Sequence, residues 1–289
     1  VVTIDVGRRW TATGTLWRDG VVVTTAHAIR DTDSLNVITS DGVSHPAAFG
    51  GWDLGTDLAV LKVDGLTTTV PLGTAAERDP LRVGELAVVL AGAGGNAPVA
   101  RLTMIAGVGT VERWRRGARL ADVIELDTTP VPGFSGGLLA DTRGRIVGIN
   151  SAGIVRRAAL ALPVGAVGKV LDELLIRGRV ARGYLGVGMH PVRTGRTDPS
   201  AAAPGHGLLV HSLEPGGPAD RAGVLVGDIL VNIDGRPLDA PQRLIEALGG
   251  ERVGEAVRLG VIRGGNSTEI PVVLGERPQR HARRGCHAR

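Results

Sequence analysis

From Val1 to about Val170 the chain is a succession of short, β-branched apolar runs, each cut off after a few residues by Gly, Asp-Gly or Pro. Val21–Thr25, Ala59–Val63, Glu85–Leu90, Val123–Leu126 and Arg145–Asn150 have strand length and strand composition. No helical patterns alternate with them, so a wound parallel sheet is disfavoured and a barrel or sandwich is expected. The 44 glycines suit the tight turns of such a fold. Aromatic residues make up only 2% of the chain, so Val, Leu, Ile and Ala must build the cores.

Val167, Val170, Leu171, Leu174 and Leu175 then recur at helical spacing. The helix is expected to end near Arg177-Gly178-Arg179, where glycine can cap it, and Arg179–Gly183 reads as a linker. At 289 residues the chain has room for a second domain. Its expected elements are strands at Gly183–Val187, Gly207–Val210 and Gly227–Ile233, then a turn at Asp234-Gly235. A short helix at Pro218–Ala222, an amphipathic helix around Pro241–Leu248 and strands near Val257–Ile262 and Thr268–Val273 complete it. Arg193–Pro204, rich in Pro, Thr, Ala and charge, reads as a surface loop.

The chemistry concentrates in Gly133-Phe134-Ser135-Gly136-Gly137. A serine between glycines suits a nucleophile on a sharp turn, where the amides of Gly133 and Ser135 can converge on one anion. A serine hydroxyl attacks a carbonyl only when a base takes its proton, and imidazole is suited to that exchange. His27 ends the run Val22–Ala26, and Asp57 opens Asp57-Leu58-Ala59-Val60-Leu61. The order His27, Asp57, Ser135 is the chymotrypsin-like order of the Ser-His-Asp triad. His45, in Asp41–Pro46, has no apolar strand leading into it and is expected to lie in a turn.

Several function classes are disfavoured. Residues 276–289 carry five arginines and Glu276, which accounts for the whole net charge of +4. The basic pI of 10.1 therefore reflects an expected solvated tail and gives no sign of a nucleic-acid-binding face. His281, Cys286 and His287 in that tail match no zinc spacing, and a single cysteine excludes an intramolecular disulfide. No phosphate loop, dinucleotide fingerprint or metalloprotease helix is present, so neither cofactor nor metal is expected. No apolar run reaches the length of a membrane-spanning helix, and no secretory leader pattern opens the chain. The start at Val1 reads as processed or truncated, with any signal or membrane anchor outside this chain.

These motifs resemble the HtrA (high-temperature-requirement) family of serine endopeptidases. The carriers are Thr24–Ile29, Thr56–Val63, Pro132–Gly137, Gly144–Ser151 and Ala161–Val164. Family members often carry Asn where this chain has Phe134, and Pro where it has Leu138. Residues 184–275 resemble an HtrA-type PDZ domain through Tyr184–Val187, Pro218–Gly223 and Gly227–Leu230.

The resemblance implies a mostly β chain: a chymotrypsin-like double β-barrel over residues 1–178, a PDZ domain over 184–275 and a basic tail over 276–289. It further implies cleavage of unfolded or misfolded proteins through His27, Asp57 and Ser135, with Gly133 and Ser135 as the oxyanion hole. Thr129, Pro130, Ser151, Ala152 and Ile154 would shape an apolar pocket for Val, Ala or Leu. Leu185, Gly186 and Val187 would hold a peptide C-terminus, with Leu244 lining the groove. A homo-trimer in an extracytoplasmic compartment, periplasmic or cell-envelope, is implied as well. The alternative is a catalytically dormant peptide-binding scaffold or chaperone.

Overall fold

Antiparallel strands dominate the first part of the computed structural model. The model describes residues 1–7, 11–29, 34–67, 80–92, 97–111, 120–154, 158–194, 205–249 and 252–278. Strands β1 (Val2–Asp5), β2 (Thr11–Arg18), β3 (Val21–Thr25), β4 (Asn36–Ile38), β5 (Ser44–Pro46), β6 (Ala48–Asp53) and β7 (Leu58–Lys62) form one antiparallel sheet. Its order is β5-β4-β1-β2-β3-β7-β6. The two ends of that path are consecutive in the chain and meet at Ala47, whose amide donates to Leu35 O at 2.9 Å. The sheet thus curls into a half-barrel. His45 lies in β5, opposite Val37, and not in the expected turn, because a short edge strand needs only a partner and no apolar run.

Strands β8 (Leu86–Ala91), β9 (Val99–Val111), β10 (Leu120–Leu126), β11 (Leu138–Asp141), β12 (Ile146–Ser151) and β13 (Ala159–Pro163) close into a barrel. Alternation along β3 and β7 explains their apolar runs Val21–Val23 and Leu58–Leu61. Val22, Ala59 and Leu61 point into the half-barrel core. Val21, Val23, Leu58 and Val60 point the other way, into a layer shared with Leu138, Ile149, Leu160 and Leu162 of the closed barrel. A strand buried on both sides has no polar face to show.

Helix α2 (Val164–Arg177) adds Val164, Val167, Leu171 and Leu174 to that shared layer. Burying each such aliphatic side chain is worth about 1.5–3 kcal/mol. The helix stops at Gly178, whose φ of 69° is left-handed and whose amide donates to Leu174 O at 2.8 Å. No helix among the described residues is long and apolar enough to cross a membrane.

The chain divides into two compact units, the break falling between Val180 and Ala181. In the second unit, β15 (Val187–Arg193), β16 (His206–Leu213), β17 (Ile229–Ile233), β19 (Ala256–Arg263) and β20 (Asn266–Val273) form a sheet in that order. The short β18 (Arg236–Pro237) pairs with β17, and β14 (Gly183–Tyr184) pairs with β21 (Gly275–Glu276). Short helix α3 (Pro218–Arg221) and helix α4 (Pro241–Ala247) complete the unit. Its core includes Leu208, Leu230, Leu244, Leu259 and Val261. Residues 195–204 of the expected surface loop, and 279–289 of the tail with His281, Cys286 and His287, lie outside the described residues.

Candidate active site

Strand register brings His27 and Asp57 together. β3 and β7 are antiparallel, and their last pair is Thr25 with Leu58. The residues just after one strand and just before the other must therefore be neighbours. Ala26 N donates to Asp57 O at 2.7 Å, and His27 sits in the single-turn helix α1 (Ala26–Ile29). Asp57 is presented from a turn tied by Asp53, whose carboxylate accepts the Gly55 amide and both the amide and hydroxyl of Thr56. Asp57 itself has φ 60°, a left-handed conformation that aspartate tolerates better than most residues.

The Asp57 carboxylate is buried, with 6% of the residue exposed, and three donors occupy it. The His27 amide reaches Oδ1 at 3.0 Å. On Oδ2 the His27 Nδ1 sits at 2.6 Å, and the Ser151 hydroxyl donates at 2.6 Å from the end of β12. With Nδ1 facing a carboxylate, the proton belongs on Nδ1 and Nε2 is left as the basic nitrogen. The contact depends on Gly153, since a Cβ there would collide with Asp57 Oδ2 and His27 Nδ1.

Ser135 is buried in the loop before β11. Its Oγ accepts the Ala152 amide at 3.1 Å and, among the described residues, makes no hydrogen bond with the His27 ring. Gly133 has φ 84° and Gly136 φ 87°, so both positions favour glycine. Phe134 N donates to Val131 O, Gly136 N to Asn150 O and Gly137 N to Phe134 O. Phe134 O also accepts Asn150 Nδ2 at 3.1 Å. The amides of Gly133 and Ser135 donate to no acceptor among the described residues. The Phe134 ring inserts into the closed barrel beside Val89, Ile105 and Leu139, with the Arg101 guanidinium 5.5 Å from its centroid. A buried ring thus anchors the loop where the resemblance expected a polar residue.

A cleft of about 340 Å³ opens over these groups, lined by Val6, Thr11, Ala12, His27, Ala28, Pro130, Val131, Pro132, Gly133, Ser135 and Ala152. Of the expected pocket residues, Pro130 and Ala152 line it. Thr129 is exposed, Ser151 is fully buried against Asp57, and Ile154 lies in the core layer. No carboxylate is found among the described residues that line the cleft. Sequence reading did not single out Gly153 or the Ser151–Asp57 bond, because both depend on segments far apart in the chain.

In the second unit, Gly186 has φ 79° and its carbonyl accepts the Glu214 amide at 2.8 Å. Leu185 O accepts the Ala219 amide, and the Leu185 and Leu244 side chains are both buried in the core. Val187 opens β15, the edge strand of the sheet. Among the described residues no three His, Cys, Asp or Glu side chains gather as a metal site.

Comparison with known proteins agrees with both halves. Residues 12–149 match a trypsin-like peptidase domain, and residues 183–274 match a PDZ domain. A "Probable periplasmic serine endoprotease DegP-like" of Halomonas elongata is 31% identical over 265 residues, covering 90% of this chain and 55% of the relative. Its counterpart in Brucella suis is 30% identical over 279 residues, covering 93% and 53%. The chain spans about half the length of these curated relatives.

Among solved structures, an HtrA-type protease AlgW with decapeptide superimposes with a TM-score of 0.74 at 27% identity, covering 90% of this chain and 81% of that one. A serine endoprotease from Yersinia pestis superimposes with a TM-score of 0.76 at 25% identity, covering 96% and 94%. With a half-barrel and a closed barrel of trypsin-like fold followed by a PDZ domain, this chain belongs to the HtrA/DegP-like family of trypsin-like serine proteases.

Proposed function

We propose that this protein is a serine endopeptidase that cleaves unfolded or misfolded polypeptides through an acyl-enzyme. The observation that carries this reading is the buried Asp57 carboxylate, which holds His27 Nδ1 at 2.6 Å at the edge of the cleft that Ser135 also lines. Ser135 Oγ leaves the Ala152 amide, gives its proton to His27 Nε2 and attacks the scissile carbonyl. The negative oxygen of the tetrahedral intermediate meets the Gly133 and Ser135 amides. Asp57 stabilises the imidazolium, which then protonates the leaving amine, and water releases the acyl group by the reverse sequence. The apolar cleft favours Val, Ala or Leu before the cleaved bond.

Residues 1–178 form the peptidase domain in this reading, 184–275 the PDZ domain and 276–289 a basic tail. The Leu185–Gly186–Val187 segment and the β15 edge receive a peptide C-terminus by strand addition, with Leu244 beneath the groove. The solved relative that carries a decapeptide supports peptide binding. The names of the curated relatives support a periplasmic or other extracytoplasmic location, and a homo-trimer is carried by the family resemblance alone.

One observation favours a second reading, a dormant scaffold or chaperone: the Ser135 hydroxyl is bonded to Ala152 and not to His27. Degradation of casein separates the two. The purified protein is expected to cleave it and Ser135→Ala to lose at least about 10³-fold in rate with its fold intact. An inactive wild type, or an active Ser135→Ala protein, contradicts the peptidase reading.

A further inference from the structure

The glycine loop around Ser135 is gripped from the half-barrel by two buried threonines of β2. Thr13 and Thr15 lie two apart on the strand, so their side chains share one face. Their exposures are 0% and 1%. Thr13 Oγ1 donates to Gly133 O at 2.6 Å, and Thr15 Oγ1 donates to Gly136 O at 2.9 Å. The two acceptors bracket Ser135. The Thr13 hydroxyl also accepts the Gly92 amide at 3.0 Å, while Thr24 Oγ1 donates to Thr13 O at 2.7 Å. Approach is so close that a Cβ on Gly136 would collide with Thr13 O.

Peptide planarity turns these bonds into control over amide direction. A peptide C=O and the N–H of the next residue are rigidly opposed, so fixing one fixes the other. Thr13 fixes the Gly133–Phe134 plane, whose N–H goes to Val131 O, and Thr15 fixes the Gly136–Gly137 plane, whose N–H goes to Phe134 O. Asn150 fixes the Phe134–Ser135 plane through Phe134 O. The Ser135 N–H then points away from Asn150. With the plane after Gly133 held, the φ of 84° at Gly133 sets the direction of its own amide.

We propose that Thr13 and Thr15 are positioning residues, a hydroxyl clamp that holds the Gly133 and Ser135 amides where a developing oxyanion will sit. The inference rests on the peptidase reading above. Without the Thr13 hydroxyl, two backbone groups lose their partner, the part-buried Gly133 O and the buried Gly92 N. Without Thr15 only Gly136 O does. The loop then relaxes by turning Gly133, and a misplacement of about 1 Å at a reacting centre can cost about 10²-fold in rate.

The test uses the full chain with valine, nearly isosteric but lacking the hydroxyl, and serine, which keeps it. Wild type is first treated with a serine-reactive phosphonate. On a chromogenic peptide with an aliphatic residue before the scissile bond, Thr13→Val is expected to lose about 10²-fold and Thr15→Val about tenfold in kcat, with KM within about twofold. Thr13→Ser and Thr15→Ser should recover to within about threefold of wild type. Affinity for a peptidic boronate, which forms a tetrahedral adduct, should fall in parallel with kcat.

Melting temperatures identify variants that are simply misfolded, and Thr15→Val, which orphans a single acceptor, serves if Thr13→Val does not fold. A labelled wild type whose valine variants keep kcat and boronate affinity overturns the clamp alone, as does serine behaving like valine. A wild type that the phosphonate does not label overturns the peptidase reading and this inference with it.

Discussion

At Gly153 there is no room for a side chain, because the backbone runs against the His27–Asp57 contact. Replacing it with alanine pushes the imidazole from the carboxylate without substituting either residue. The expected outcome for Gly153→Ala is a loss of about 10²-fold in kcat on a chromogenic peptide, with the protein still folded. Undiminished kcat would show that the 2.6 Å contact is dispensable. His27, Asp57 and Ser135 are legible in sequence because each sits at a strand end or glycine turn in a recognisable run. Gly153, Thr13, Thr15 and the bond from Ser151 to Asp57 are not, since a threonine in β2 looks like any strand residue until the loop it bonds, more than a hundred positions later, folds onto it. Phe134 is visible as a departure from the family pattern, but its burial in the closed barrel follows only from the strands that surround it.

Among the elements, the β3–β7 pair shows how register becomes chemistry, since a one-residue slip would separate His27 from Asp57. The apolar runs predict these strands directly. They do not predict that the two ends of the first sheet meet at Ala47, because edges and closure depend on long-range pairing. In the second unit β17 and β19 are locked by Asp228, buried beneath Arg263. Burial pushes the Asp228 carboxyl upward, but the Arg263 guanidinium and the Leu225 amide outweigh it and hold it below the usual carboxylate range. The folded state therefore binds this proton less readily than the unfolded chain does. The stabilisation is full above the ordinary Asp pKa and disappears as pH falls through the lowered folded-state value. Amide-exchange protection in β17 and β19 is thus expected to fall below about pH 4. Asp228→Asn should be less protected at neutral pH and lose this acid dependence. Equal acid sensitivity in both proteins would remove Asp228 as the cause.

Across the whole molecule, each apolar cluster of the described residues falls within one compact unit, three in the first and one in the second, which explains why peptidase-like and PDZ-like segments read independently along the chain. Charge is uninformative about either unit, since residues 276–289 carry the whole net excess. In the proposed function Ser135 is an activated nucleophile, and covalent labelling tests this most directly. A fluorophosphonate is incubated with the full chain and the adduct located by mass spectrometry after trypsin digestion. The peptide Leu120–Arg143 contains Ser135 as its only serine. One label on that peptide, absent from Ser135→Ala and strongly slowed in His27→Ala, is the predicted result. No label, or a label that persists in Ser135→Ala, would contradict it.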